Sequence, residues 1–185
     1  VYKRQDPLDV VAACSAAADD AAARWSSEVA ARWWRTAIET YGLVEADRQV
    51  ASVRDDLTMS LLQAESRAGR GQTVIDTARV QMLEAIDAGR VATTGKLAAA
   101  LLRSSGGWPW QAPTVDPGPI LDVLERARRF TEDDPVAHTS VLAALAVGHC
   151  YNPDSTVPAE CLSLADELAA ASGSADLTAD AALGY

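Results

Sequence analysis

The side chains able to do chemistry are few, and their spacing serves it poorly. His149 and Cys150 are adjacent, and Cys161 follows eleven residues later. Zinc sites usually draw their ligands from tight pairs such as C-x2-C with a second pair elsewhere. That spacing does not occur, so these cysteines are expected to act as small buried apolar groups. Cys14, Cys150 and Cys161 make an odd count, which reads as reduced thiols in a cytoplasmic setting. Asp19-Asp20 and Asp55-Asp56 could work as acid and base only in a pocket that perturbs their pKa values. The pattern places both pairs on solvated helix faces. Glu132-Asp133-Asp134 lies at a turn before a helix, where carboxylates complement the N-terminal dipole. The serines fall in caps and turns, without a Ser/His/Asp grouping. The pattern G-x-x-x-x-G-K-[ST] is absent, and Lys96 lacks the glycines it needs. No catalytic residue, metal or cofactor is expected.

The aromatic residues are more individual. Trp108-Pro109-Trp110 sits in a Gly- and Pro-rich stretch. Two readings stand. The indoles could anchor a partner, because exposed aromatic side chains concentrate binding energy. Or the loop folds back and its indoles cover a seam between helices. Trp25, Trp33 and Trp34 could form an aromatic surface, but Trp34 and one neighbour are expected in the core. Trp33 and Trp34 differ by about 100° around a helix, so one of them can face elsewhere.

The elements that carry these residues are helical. The chain has 185 residues, 49% hydrophobic and 23% charged, with a single Phe. Ala and Leu are abundant while β-branched and aromatic residues are sparse, which predicts an all-α fold. The net charge of −10 repels phosphate backbones, so no direct nucleic-acid contact is expected. No apolar run approaches the roughly 20 residues of a membrane span. Asp6-Pro7 starts a first helix running to about Arg24. A second runs from Ser26-Ser27 to Tyr41 and stops at Gly42. A third covers 46–68, with Val50, Val53, Leu57, Leu61 and Ala64 as its apolar stripe. A fourth covers 73–88, with Ile75, Ala78, Met82 and Ile86 on one face. A fifth covers 91–103. The stretch 104–119 is read as an irregular loop. A sixth helix ends near Phe130. A seventh starts at Asp134-Pro135 with Val141, Leu142, Leu145 and His149 on one side. The eighth and ninth begin near Thr156 and Ala175.

The ends carry their own signals. Val1-Tyr2-Lys3-Arg4-Gln5 is what GTG-TAT-AAG-AGA-CAG encodes, and that DNA looks like a transposon end used in sequencing libraries. Residues 1–5 are therefore set aside, and a protein extending beyond both ends is expected. Without Lys3 the only lysine is Lys96, a bias that suggests a GC-rich, actinobacterial source.

First helices of successive pairs start near residues 8, 46, 90 and 134, a period of about 40 that indicates a solenoid. Each pair leaves an apolar face that the next pair must cover. The pattern of small and large residues resembles the second helix of tetratricopeptide (TPR) repeats. Ala30, Trp34 and Ala37 fit it, as do Ala78, Met82 and Ala85; Ile120, Leu124 and Ala127 fit in part. Val147-Gly148 followed by Tyr151 is similar to the Leu-Gly-x-x-Tyr of the first repeat helix. The period exceeds the usual 34, so the expected fold is a TPR-like α-solenoid of about four antiparallel helix pairs over 6–185. The stretches 106–113, 120–127, 141–147, 151–154 and 162–165 look like the helical-repeat region of actinobacterial LuxR-type and SARP-type transcriptional regulators that carry an ATPase module. That resemblance implies a cytoplasmic sensing segment that binds a protein, peptide or small effector. It would transmit binding to ATPase and DNA-binding domains elsewhere in a longer chain. Two alternatives remain open: a stand-alone TPR-like adaptor, and a helical small-molecule-binding domain or enzyme.

Overall fold

A computed structural model describes residues 6–103, 116–149 and 156–183. Among them the protein is all-α, with nine α-helices. The chain divides into two compact units, Val1–Arg70 and Gly71–Tyr185.

The first unit holds α1 (Pro7–Ala23), α2 (Ser27–Tyr41) and α3 (Ala51–Arg67). Asp6 caps α1 by accepting the Leu8 N–H at 3.0 Å, with Pro7 in the first turn. Val11, Cys14, Ala18 and Ala21 recur at steps of three and four and form the buried stripe of α1. It meets Ala30, Ala31, Trp34, Ala37 and Tyr41 of α2, and Leu57, Leu61 and Ala64 of α3 complete the core. Ala18, Ala30, Ala31 and Ala37 are wholly buried; only small side chains fit where two helices cross this closely.

The expected third helix differs at its start. Ala46–Arg48 is a single 3-10 turn, Gln49 and Val50 are extended, and α3 begins at Ala51. The Tyr41 hydroxyl explains the break, because it accepts the Val50 N–H at 2.5 Å and donates to the Val50 carbonyl at 3.1 Å. Those two bonds hold Val50 outside the helix. Val50 and Val53, at the start of α3, are exposed, while Leu57, Leu61 and Ala64 of the same stripe are buried.

The second unit holds α4 (Gly71–Asp87), α5 (Val91–Leu102), α6 (Gly118–Phe130), α7 (Pro135–Gly148), α8 (Val157–Ser172) and α9 (Ala175–Ala182). Its centre is α7, which packs against α5, α6, α8 and α9. Every residue from Ala137 to Val147 is buried, so α7 has no solvent face, and the single-sided stripe expected for it is corrected. A helix apolar on all sides must be surrounded. The approach of α5 to α7 is close: a Cβ at Gly95 would stand 2.5 Å from the Ala137 Cα. At the other end of α7, a Cβ at Gly148 would collide with Leu121 of α6.

Two more expectations change. The pair starting near residue 90 is not α5 with α6, which barely touch; α5 lies on α4 and α7, and α6 on α4 and α7. The irregular stretch also ends sooner than 119. Asp116 accepts the Gly118 N–H at 2.8 Å, and α6 starts at Gly118 with Pro119 in its first turn. Proline is tolerated there because that N–H has no helical partner anyway. Among the described residues no helix is long and apolar enough to cross a membrane.

Candidate interaction surface

The first unit carries an apolar ridge on the outside of α2. Trp25 is 90% exposed, Val29 37% and Trp33 40%, whereas Trp34 next door is only 8% exposed. Val29 and Trp33 are one helical turn apart on α2, and Trp25 lies just before the Ser26 N-cap, where the chain arrives from α1. One tryptophan of the adjacent pair thus enters the core, and its neighbour joins Trp25 and Val29 outside.

Trp25 also occupies a strained backbone position. The end of α1 closes with two hydrogen bonds, Trp25 N–H to the Ala22 carbonyl at 3.0 Å and Ser26 N–H to the Ala21 carbonyl at 2.9 Å. This is the Schellman pattern, which needs a left-handed residue at the turn. α3 and α4 end with the same pair of bonds, and there the left-handed residues are Gly69 and Gly89. At α1 the left-handed residue is Trp25, with φ of 60°. A side chain in that region costs about 1 kcal/mol relative to glycine. Trp25 is therefore both solvent-facing and held where glycine is more stable. Strain of this kind motivates a functional reading.

The TPR-like positions fall in the two cores. Ala30, Trp34 and Ala37 are buried in the first unit, and Ala78, Met82, Ala85, Leu124 and Ala127 in the second. Gly148 is half-buried against Leu121. Trp108, Pro109, Trp110 and Tyr151 lie outside the described residues.

The sequence reading missed the buried polar groups. In the first unit Glu65 is 1% exposed; Arg35 of α2 meets one of its oxygens, and Arg70 Nε lies 2.6 Å from the other. In the second unit Asp180 is equally buried. Its Oδ1 accepts from Arg103 Nε at 2.7 Å and its Oδ2 from the Ser140 hydroxyl at 3.1 Å. Each carboxylate thus ties separate segments together. The available signal was an acidic residue on an apolar face: Glu65 beside Leu61 and Leu62, Asp180 beside Leu177 and Ala181.

Thr131 and His138 form a buried contact, with Oγ1 and Nδ1 3.1 Å apart. The Thr131 hydroxyl donates to the Ala127 carbonyl at 2.9 Å, which leaves it to accept from the ring. The contact is a core hydrogen bond, unlike a base activating a nucleophile. Burial lowers the His138 pKa, opposed by the charge of Glu132. Burial also pushes the Cys161 thiol up to about 11, which keeps it protonated and unreactive at neutral pH. Asp6 is held low by the Leu8 N–H and by Arg48, whose guanidinium lies 2.9 Å away.

A cleft of about 260 Å³ lies between α4 and the start of α6, with Gln72, Asp76, Arg79 and Asp116 on its walls. It falls below the roughly 300–1,000 Å³ usual for ligand pockets. Asp76 accepts from Gln72 at 3.1 Å, and Asp116 is engaged with Gly118. Among the described residues no three His, Cys, Asp or Glu side chains are grouped as metal ligands would be. Comparison of the chain with protein-family models, curated proteins and solved structures finds no match.

Proposed function

We propose that this chain is a protein-interaction segment of a larger cytoplasmic regulator. The observation that carries the reading is the Trp25–Val29–Trp33 ridge, a solvent-facing apolar surface that includes a strained tryptophan. Large aromatic residues are the usual anchors of protein interfaces.

The finer fold assignment, a TPR-like solenoid, draws support from the second unit. There α4 packs on α6, α5 on α7 and α7 on α9, besides the contacts between chain neighbours. Alternate helices in contact form two layers, the arrangement that stacked helix pairs produce. On this reading the longer chain carries, as LuxR-type and SARP-type regulators do, an ATPase module and a DNA-binding domain elsewhere. Binding of a protein, peptide or small effector to the helical segment then biases those domains by differential affinity for two states. The residues described here include neither module, so this step rests on family analogy.

Sequencing the DNA that flanks the reading frame tests the proposal. A P-loop segment upstream, with a helix-turn-helix at one end of the full chain, supports a regulator. A start codon just before Asp6 and a stop after Tyr185 overturn it and leave a small adaptor.

A further inference from the structure

We infer that the Trp25–Val29–Trp33 ridge is a self-association surface, covered by a second copy of this chain. The contact is antiparallel, α2 against α2, about a two-fold axis beside Val29. This deepens the interaction reading above and rests on it.

Three features of the ridge fit its own copy. The first is its spacing. Trp25 and Trp33 lie four residues to either side of Val29. A two-fold contact matches residue i with j and j with i. An axis beside Val29 therefore brings Val29 onto the partner's Val29, and Trp33 toward the start of the partner's α2, which Trp25 precedes.

The second feature is charge. Glu28 and Arg32 are exposed and four residues apart, so they share one flank of α2. A two-fold axis perpendicular to a pair of antiparallel helices keeps like flanks on the same side. Arg32 then comes within about two residues' rise, ~3 Å along the axis, of the partner's Glu28, and the reverse pair forms by symmetry. Among the described residues neither Glu28 nor Arg32 makes an ion pair within the chain, so both are available.

The third feature is the choice of residue at position 25. Two other helix ends with the same hydrogen bonds use Gly69 and Gly89. A tryptophan that is 90% exposed makes little packing return within its own unit. A partner indole beside it supplies that return.

The size of the patch sets its strength. The three side chains leave on the order of 300–400 Å² of surface per copy. Twice that falls short of the ~1,200 Å² of a stable interface, so the dimer is weak and reversible.

Sedimentation equilibrium of the whole chain across the micromolar-to-millimolar range tests this, with circular dichroism to confirm that each variant folds. The wild type is expected to shift from monomer to dimer. Val29→Arg is expected to weaken association at least about tenfold, and Trp33→Lys serves if that variant fails to fold. Glu28→Arg and Arg32→Glu alone each weaken it several-fold; combined, they restore it, because the pairs reform with reversed sign. A monomer at every concentration overturns the proposal and leaves the ridge to a different partner. So does a dimer that both ridge variants leave intact, or a charge reversal that is not rescued by its complement. None of these results bears on the flanking DNA, so the failure of self-association and the failure of the regulator reading are separable.

Discussion

The two units solve the same packing problem with different success. The second wraps five helices around or beside α7, whose residues from Ala137 to Val147 are all buried. The first has only α1, α2 and α3, and no helix of its own is surrounded. Six large apolar side chains stay exposed there: Trp25, Val29, Trp33, Leu43, Val50 and Val53. Among its described residues the larger second unit leaves four, Val80, Val136, Leu164 and Leu183. Three helices have too little interior to hide every apolar residue, and what remains outside becomes available for binding. Burial is thus concentrated around α7, and the proposed recognition surface lies along α2.

The largest test of that division compares truncations. Leu142 is almost wholly buried in α7, and Leu142→Ala is expected to destabilise the second unit by about 3 kcal/mol. Trp33→Ala removes a larger side chain but a half-exposed one, and should cost under about 1 kcal/mol. Denaturant melts of both variants check this. Equal losses would erase the distinction between a structural helix and a recognition helix.

A smaller effect of opposite sign sharpens it. Trp25→Gly relieves the left-handed strain and should raise stability by about 1 kcal/mol while it weakens self-association. A thermal melt beside sedimentation reads both quantities. Parallel loss of stability and association would make Trp25 an ordinary packing residue.

The smallest expected effect separates the units by pH. Both histidines, His138 and His149, belong to the second unit. The folded-state pKa of His138 lies below its ordinary 6.5 because burial disfavours the cation. Its contribution to stability is therefore complete above 6.5. It is lost as pH falls from 6.5 through the lower folded value, because there the unfolded chain binds the proton more readily. Amide exchange followed at neutral and mildly acidic pH should show the second unit loosening first, and His138→Gln should remove that difference. Asp6 in the first unit has a lowered pKa, so its contribution fades only at far lower pH.

Much of the fold was legible as local chemistry. Asp6-Pro7 and Asp134-Pro135 announce helix starts, and the structure shows both aspartates accepting backbone N–H groups. Gly69, Gly89 and Gly173 mark helix ends, each with positive φ. The stripe of Ile75, Ala78, Met82 and Ile86 is buried along its length. These features act within a turn or two of chain, so a linear pattern reveals them.

The surface was much less legible. Trp33 and Trp34 are chemically identical, and their separation into outside and inside depends on which side of α2 receives α1 and α3. Val50 reads as helical stripe until the Tyr41 hydroxyl takes its N–H and its carbonyl. The partners of Glu65 lie 30 residues before it and five after, and Arg103 reaches Asp180 across 77 residues.

By itself, then, the sequence determined that this protein is helical and where most helices begin and end. Propensity, caps and left-handed turns operate over hydrogen bonds that span a few residues. The tertiary structure alone decided that α7 is enclosed, that two carboxylates are buried and paired, and that a tryptophan ridge faces water. Burial is a property of which surfaces meet, and segments far apart along the chain settle that only when they pack.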